Sequence, residues 1–231
     1  MAESALNIKA VAYRWTETEP WSLKIGELIL SRGEHLFISG PSGSGKSTLL
    51  NLISGILIPN RGSIEVLGQP LADLSGPSRD RFRADNIGFI FQMFNLVPYL
   101  NVLENILLPC RFSNSRLKRI LGASSPEFEA RRLLTHMGLD PVRYGSQPVT
   151  ELSVGQQQRV AAARALMGAP GLIIADEPTS ALDTEAQIKF LDLLSQETTK
   201  SKATLILVSH DQRLAPYFSS TLAIPAAEEN R

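Results

Sequence analysis

Gly40-Pro41-Ser42-Gly43-Ser44-Gly45-Lys46-Ser47 decides the fold. The stretch before it, His35-Leu36-Phe37-Ile38-Ser39, is short and apolar and reads as a strand. The run after it, Ser47-Thr48-Leu49-Leu50-Asn51-Leu52-Ile53, is apolar at helical spacing and ends near Gly55. Strand, turn of the form G-x-x-x-x-G-K-[ST] and helix together make a phosphate-binding arrangement. Glycines let successive backbone N–H groups converge on phosphate oxygens, with no Cβ in the way. The helix aims its N-terminal partial charge at the same point. Lys46 adds a full positive charge for the β- and γ-phosphates, and the Ser47 hydroxyl is suited to Mg²⁺. Gly40, Pro41, Ser42, Gly43, Ser44, Gly45, Lys46, Ser47 and Thr48 are therefore the expected phosphate-binding residues.

A second stretch belongs with the first. Leu172-Ile173-Ile174-Ala175-Asp176-Glu177-Pro178 is an apolar strand that ends in two acids. A buried strand delivers its last side chains to the carboxyl edge of a sheet, where doubly wound folds bind ligands. Asp176 is suited to holding Mg²⁺ through a water, and Glu177 to polarising a water that attacks the γ-phosphate. By themselves two acids after a strand are an ordinary solvated loop; the phosphate loop upstream is what gives them a role.

Around these motifs, strands alternate with helices, which implies a mainly parallel sheet covered on both faces. Val11 to Leu30 carries short alternating apolar segments around Thr16-Glu17-Thr18-Glu19-Pro20 and suggests a small antiparallel sheet with a turn. Gly62–Leu67, Ile87–Phe91 and Thr204–Val208 read as further strands, and Thr184–Lys200 as a helix. Pro70 to Asp85 is polar with a Gly-Pro break and reads as irregular. From Asn101 to about Met167 the pattern turns helical, with helices expected at Val102–Leu108, Glu127–Met137 and Val154–Met167 between loops rich in Ser, Gly and Pro. The expected organisation is one domain, with a core of residues 1–95 and 168–231 interrupted by a helical subdomain of about 96–167.

Composition narrows the function. The chain has 231 residues, with 23 Lys plus Arg against 23 Asp plus Glu. A neutral balance argues against a dedicated nucleic-acid binder, which needs surplus cations to displace counterions. Cys110 is the single cysteine, so no intrachain disulfide forms and a reducing compartment is expected. Met1-Ala2-Glu3-Ser4-Ala5-Leu6-Asn7 has neither a basic start nor an apolar core and does not read as a signal peptide. No apolar run approaches the ~20 residues of a spanning helix. If the protein works at a membrane, another chain supplies the spans.

Leu152-Ser153-Val154-Gly155-Gln156-Gln157-Gln158-Arg159 resembles the signature of the ATP-binding cassette (ABC) family, usually L-S-G-G-Q. With the phosphate loop and the Asp176-Glu177 strand end, the chain resembles an ABC ATPase over nearly its whole length. The resemblance implies an α/β P-loop NTPase (RecA-like) core with a mainly parallel sheet, an N-terminal antiparallel β-subdomain and an α-helical insertion carrying the signature. It implies ATP as substrate, Mg²⁺ as cofactor and a second copy of the chain as partner. Ser153, Gly155 and Gln156 of one copy then face the γ-phosphate held by the other. Val154 departs from the family's glycine and bears on the rate of hydrolysis.

Further positions fall in order. Gln92 matches the Q-loop glutamine, which touches Mg²⁺ and the attacking water. Ser180-Ala181-Leu182-Asp183 matches the D-loop, with Asp183 organising the dimer interface. His210, flanked by Ser209 and Asp211, matches the switch histidine at the γ-phosphate. Trp15 fits the aromatic residue that stacks on adenine, with Tyr13 as the alternative. Ile87 to Pro98 and Leu107-Leu108-Pro109 resemble the macrolide-efflux and lipoprotein-release branch, whereas Ser180-Ala181 resembles polar-amino-acid importers. The first branch implies permease subunits with a cytoplasmic coupling helix, export or mechanotransmission, and a peripheral place on the cytoplasmic face of a bacterial inner membrane. Met93, Phe94, Leu96 and Pro98 are the apolar residues expected to line the groove for that helix. The competing classes are an importer ATPase, a soluble repair or translation ATPase of the family, and an unrelated P-loop kinase. No long coiled coil and no second cassette supports the soluble class, and the signature and His210 argue against the kinase.

Overall fold

The computed structural model describes residues 3–180 and 182–225. In chain order the elements begin with strands β1 (Ser4–Tyr13), β2 (Leu23–Ser31) and β3 (His35–Ser39), then helix α1 (Lys46–Ile53), strands β4 (Arg61–Val66) and β5 (Gln69–Pro70), and helix α2 (Gly76–Asn86). Strand β6 (Ile87–Ile90) follows, then α3 (Val102–Phe112), α4 (Asn114–Leu121), α5 (Pro126–His136), α6 (Pro141–Tyr144) and α7 (Val154–Leu166). Strand β7 (Leu172–Asp176), α8 (Thr184–Ser201), β8 (Thr204–Val208) and β9 (Ser220–Ala223) complete the order. The chain divides into two compact units, one of Met1–Arg83 with Thr204–Arg231 and one of Ala84–Ala203.

In the first unit, β1 pairs antiparallel with β2 and β4. Leu6, Ile8, Val11 and Tyr13 of β1 are buried, so the apolar spacing slips from two to three after Ile8. The slip coincides with a register irregularity between Lys9 and Ala12, where Ala10 adopts φ 48°. Gly62 faces it with φ 77°, and a Cβ there would lie 2.3 Å from the Ala10 and Lys9 carbonyl oxygens. Only glycine lets the two backbones approach this way. Beside this sheet lie three parallel strands, β8, β3 and β9, with β3 in the middle and Ile38 level with Val208 and Leu222. Leu36, Phe37 and Ile38 are buried, as expected of a parallel strand covered on both faces. The parallel strand β9 was not among the strands read from sequence.

Pro70–Asp85 is more ordered than its composition suggests. It contains a short 3₁₀ turn at Leu71–Asp73 and most of α2. The Gly-Pro pair begins this helix. Pro77 occupies a first-turn position whose missing N–H costs nothing, and Ser75 takes the Ser78 N–H on its hydroxyl at 3.4 Å.

The second unit holds the parallel pair β6 and β7, with Ile87 opposite Leu172 and Ile90 opposite Ala175. The Cβ of any residue replacing Gly88 would fall 2.2 Å from the Ala165 carbonyl oxygen, so α7 lies backbone-close on β6. A run of buried small residues, Ala161, Ala162 and Ala163, serves the same close packing. The serines read as helix separators are in fact helix caps. Ser113 accepts the Arg116 N–H at the start of α4, and Ser125 accepts the Phe128 N–H at the start of α5, whose first residue is Pro126. Helices α4 and α6 therefore add to the three expected in this region. Arg116 is buried and donates to the carbonyls of Ala84, Ile87, Ala165 and Met167. Burial pulls its pKa down to about 10.

Candidate nucleotide site

The phosphate loop leaves β3 and enters α1 at Gly45, which caps the helix with φ 100° and offers no side chain. The first N–H groups of α1 are thus left for an outside acceptor. A Cβ at Gly45 would lie 2.8 Å from the Ser22 carbonyl, and one at Gly40 2.5 Å from the Ile224 carbonyl. Gly43, at φ 77°, completes a loop that bulkier residues would deform. Lys46 folds its ammonium over this loop and donates to the Gly40 and Pro41 carbonyls, both at 2.8 Å. The Ser44 hydroxyl is buried without a hydrogen-bond partner. Free helix N–H groups, a charged lysine and an orphaned hydroxyl at a close-packed glycine turn are fit for phosphate oxygens.

Two neighbours flank the loop within this unit. The Ser209 N–H donates to the Ile38 carbonyl at 3.1 Å, which carries β8 past the end of β3 and sets the exposed His210 beside the loop's start. Arg213 pairs with Asp211 at 2.7 Å and holds its carboxyl below the usual range. On the other side, the turn after β1 is closed by the Ser22 N–H on the Tyr13 carbonyl at 2.8 Å, and the same Ser22 abuts Gly45. Trp15 on this turn is 58% exposed, whereas Tyr13 is 7% exposed and meets it edge-on with ring centroids 5.2 Å apart. Trp21, not singled out from sequence, has the guanidinium groups of Arg14 and Arg61 over its ring, 4.8 and 5.0 Å from the centroid.

In the second unit, β7 ends in Asp176 and Glu177, both half-buried, and Glu177 adopts φ 45°. A non-glycine residue in that region is uncommon and belongs to a constrained turn. The register of β6 with β7 sets Gln92 near these acids at the same sheet edge. Gln92 lies in a turn closed by the Phe94 N–H on the Phe91 carbonyl at 2.9 Å. Ser153 caps α7, and its neighbour Val154 is exposed, so the valine leaves the cap intact. Gly155 faces Leu182, with 3.5 Å between a Cβ built there and Leu182 Cδ2. Asp183 caps α8 by accepting the Ala186 N–H at 2.9 Å, while Gln187 ties down the Thr179 and Leu182 carbonyls. Ala181 of the same motif lies outside the described residues.

The expected apolar groove after Gln92 needs correction. Phe94 is 9% exposed and belongs to the core, while Met93 is 82% exposed. Phe94 is buried while its backbone takes φ 58°. Met93, Asn95, Pro98 and Tyr99 are exposed in this segment, and Leu96 is half-buried.

Residues 23–180 match the family model for ABC transporters. The chain belongs to the ABC transporter family. As a cassette of that family it is an ATPase, with the expected α/β P-loop NTPase fold. The ABC transporter ATP-binding protein MJ0796 of Methanocaldococcus jannaschii is 37% identical over 221 residues, covering 95% of this chain and 92% of that one. The lipoprotein-releasing system ATP-binding protein LolD 1 of Caulobacter vibrioides is 41% identical over 194 residues, covering 84% and 80%. The dimeric structure of MJ0796 in a post-hydrolysis state, bound to ADP and Pi, superposes with a TM-score of 0.81 at 36% identity, covering 95% of this chain and 94% of that one. No helix among the described residues is long and apolar enough to cross a membrane.

Proposed function

We propose that this ABC ATPase works as a homodimer that closes around two ATP molecules and drives permease subunits of an export or mechanotransmission system. The observation that carries the reading is the uncapped start of α1 under a glycine turn, with Lys46 folded over it. Residues 40–48 grip the phosphates of one ATP, and Trp15 stacks on its adenine. Ser153, Gly155 and Gln156 of the other copy present a helix N-terminus to the same γ-phosphate. A two-fold pairing of unlike motifs makes two equal sites. Asp183, at the start of α8 and beside the signature, organises the interface.

The Ser47 hydroxyl, the Gln92 amide oxygen and the Asp176 carboxylate are hard oxygen donors of the kind Mg²⁺ takes, and one carboxylate suffices because substrate phosphates supply the rest. When bound, Mg²⁺ neutralises charge developing between the β- and γ-phosphates. Glu177 orients and polarises the attacking water, and His210 donates to the γ-phosphate. The core and helical parts divide these tasks, with the phosphate loop on the first and the signature on the second. The lipoprotein-releasing relative supports a place on the cytoplasmic face of a membrane, with Met93 and Tyr99 meeting a coupling helix of the permease. It also favours export over the importer reading.

Glu177→Gln tests the proposal. The variant is expected to bind ATP, stop turning over and run as a dimer by size only when ATP is present. Unimpaired turnover, or a strict monomer with ATP both alone and with its permease, would defeat it.

A further inference from the structure

Arg164 lies on α7, three turns beyond the signature residues Ser153 and Gly155, and is not used by the proposed chemistry. The residue is 9% exposed. Nη1 donates to the Asn95 carbonyl and Nη2 to the Phe94 carbonyl, both at 2.6 Å. Among the described residues no carboxylate lies within ion-pair distance of it, and burial lowers its pKa. A buried cation satisfied by backbone dipoles alone is a costly way to hold a loop in place.

The loop it holds is unusual. Phe94 and Asn95 are consecutive non-glycine residues at φ 58° and 47°. For an aromatic residue that conformation is strained and persists only where its surroundings enforce it. Gln92 sits two residues upstream, in the turn closed by Phe94. The fork of one arginine therefore holds the two carbonyls at the far end of this turn, and does so from the helix whose other end carries Ser153. A planar guanidinium suits this task, because two donors at fixed spacing fix orientation as well as distance.

We propose that Arg164 is a positioning residue that locks the strained turn carrying Gln92 to the signature helix, so that the two move together. Gln92 answers to ATP in its own subunit, and Ser153 serves the ATP of the partner copy. The arginine thereby links the two sites of the dimer. The inference rests on the proposed function and adds the route by which one site informs the other.

The test is the ATP dependence of steady-state turnover in the full-length protein, read as Hill coefficient and kcat, beside ATP affinity and melting temperature. Wild type is expected to be cooperative. Arg164→Ala is expected to bring the Hill coefficient to about 1 and lower kcat on the order of tenfold, with ATP affinity kept within about twofold. Arg164→Lys keeps the charge but loses the fork and should fall between. Asn95→Gly guards against misfolding, since glycine accepts the left-handed backbone and leaves the core untouched. It is expected to melt no lower than wild type and still lose cooperativity, because the turn gains freedom. A merely structural arginine predicts instead that Asn95→Gly keeps wild-type kcat and Hill coefficient. That outcome, with a cooperative wild type, overturns the inference alone. A wild type that forms no ATP-dependent dimer overturns the proposed function and the inference with it.

Discussion

Ser153 and Gln156 satisfy each other at the start of α7. The Ser153 N–H donates to Gln156 Oε1 at 2.9 Å, and the Gln156 N–H donates to Ser153 Oγ at 3.4 Å. This reciprocal cap fixes the helix end that is proposed to face the γ-phosphate of the partner's ATP. Cap and ligand contact can be separated. Ser153→Ala should lower stability by about 1 kcal/mol and also reduce turnover. Ser153→Asp caps as well as serine, so stability should be kept, yet its negative charge should repel the phosphate and abolish turnover. Melting curves beside ATPase rates decide, and wild-type turnover in Ser153→Asp would refute the contact.

Gly45 and Gly43 offer a paired test of the loop. Both have positive φ, but only at Gly45 would a Cβ strike backbone, 2.8 Å from the Ser22 carbonyl. Gly43→Ala is expected to cost about 1 kcal/mol through backbone strain alone. Gly45→Ala should cost more and shift the start of α1, so ATP binding should be lost in the second variant and only weakened in the first. Titration calorimetry with ATP measures both, and equal affinities would rule out the close approach as the reason for glycine.

Exposure separates the two aromatic candidates for adenine. Trp15→Ala should weaken ATP binding by about tenfold, in line with ~1–3 kcal/mol for stacking on one base, while the melting temperature holds. Tyr13→Ala removes a buried ring and should destabilise the protein by about 3 kcal/mol. An unchanged ATP affinity in Trp15→Ala would return the role to another residue.

Acid stability has a local source at Glu197. Burial raises its pKa, but the hydrogen bonds and charge of Arg132, with His136 and Lys200 nearby, outweigh this and leave it lowered from 4.5. Arg132 donates to both Glu197 oxygens at 2.8 Å and also pairs with Glu129. A lowered carboxylate contributes stability that is complete above its unfolded pKa and is lost as pH falls through the folded value. The loss should therefore appear below about pH 4.5. Glu197→Gln should be less stable at pH 7 by about 2 kcal/mol and show a shallower fall in melting temperature between pH 5 and 3. An unchanged slope would place the acid sensitivity elsewhere.

The chemistry was legible in the sequence because phosphate binding depends on local chain order. Gly40 to Thr48 can only cradle phosphates as consecutive residues on a strand-to-helix turn, and Leu172 to Glu177 ends a strand as its composition dictates. The signature serine declares itself in the same way, as a cap before a helix. What sequence left open depends on contacts between distant segments. Phe94 looked like an exposed anchor, but its inward turn rests on Arg164, 70 residues away. Ser113 and Ser125 looked like breaks until the helices they cap were seen to pack, and β9 shows too little apolar pattern to be read without β3 beside it. Which of Trp15 and Tyr13 stays open to solvent was likewise a matter of burial. Motifs that act through their own backbone are determined by sequence alone; which side chain ends inside, and which distant carbonyl a buried arginine holds, is decided only when the chain packs, because desolvation and hydrogen-bond satisfaction are properties of the assembled core.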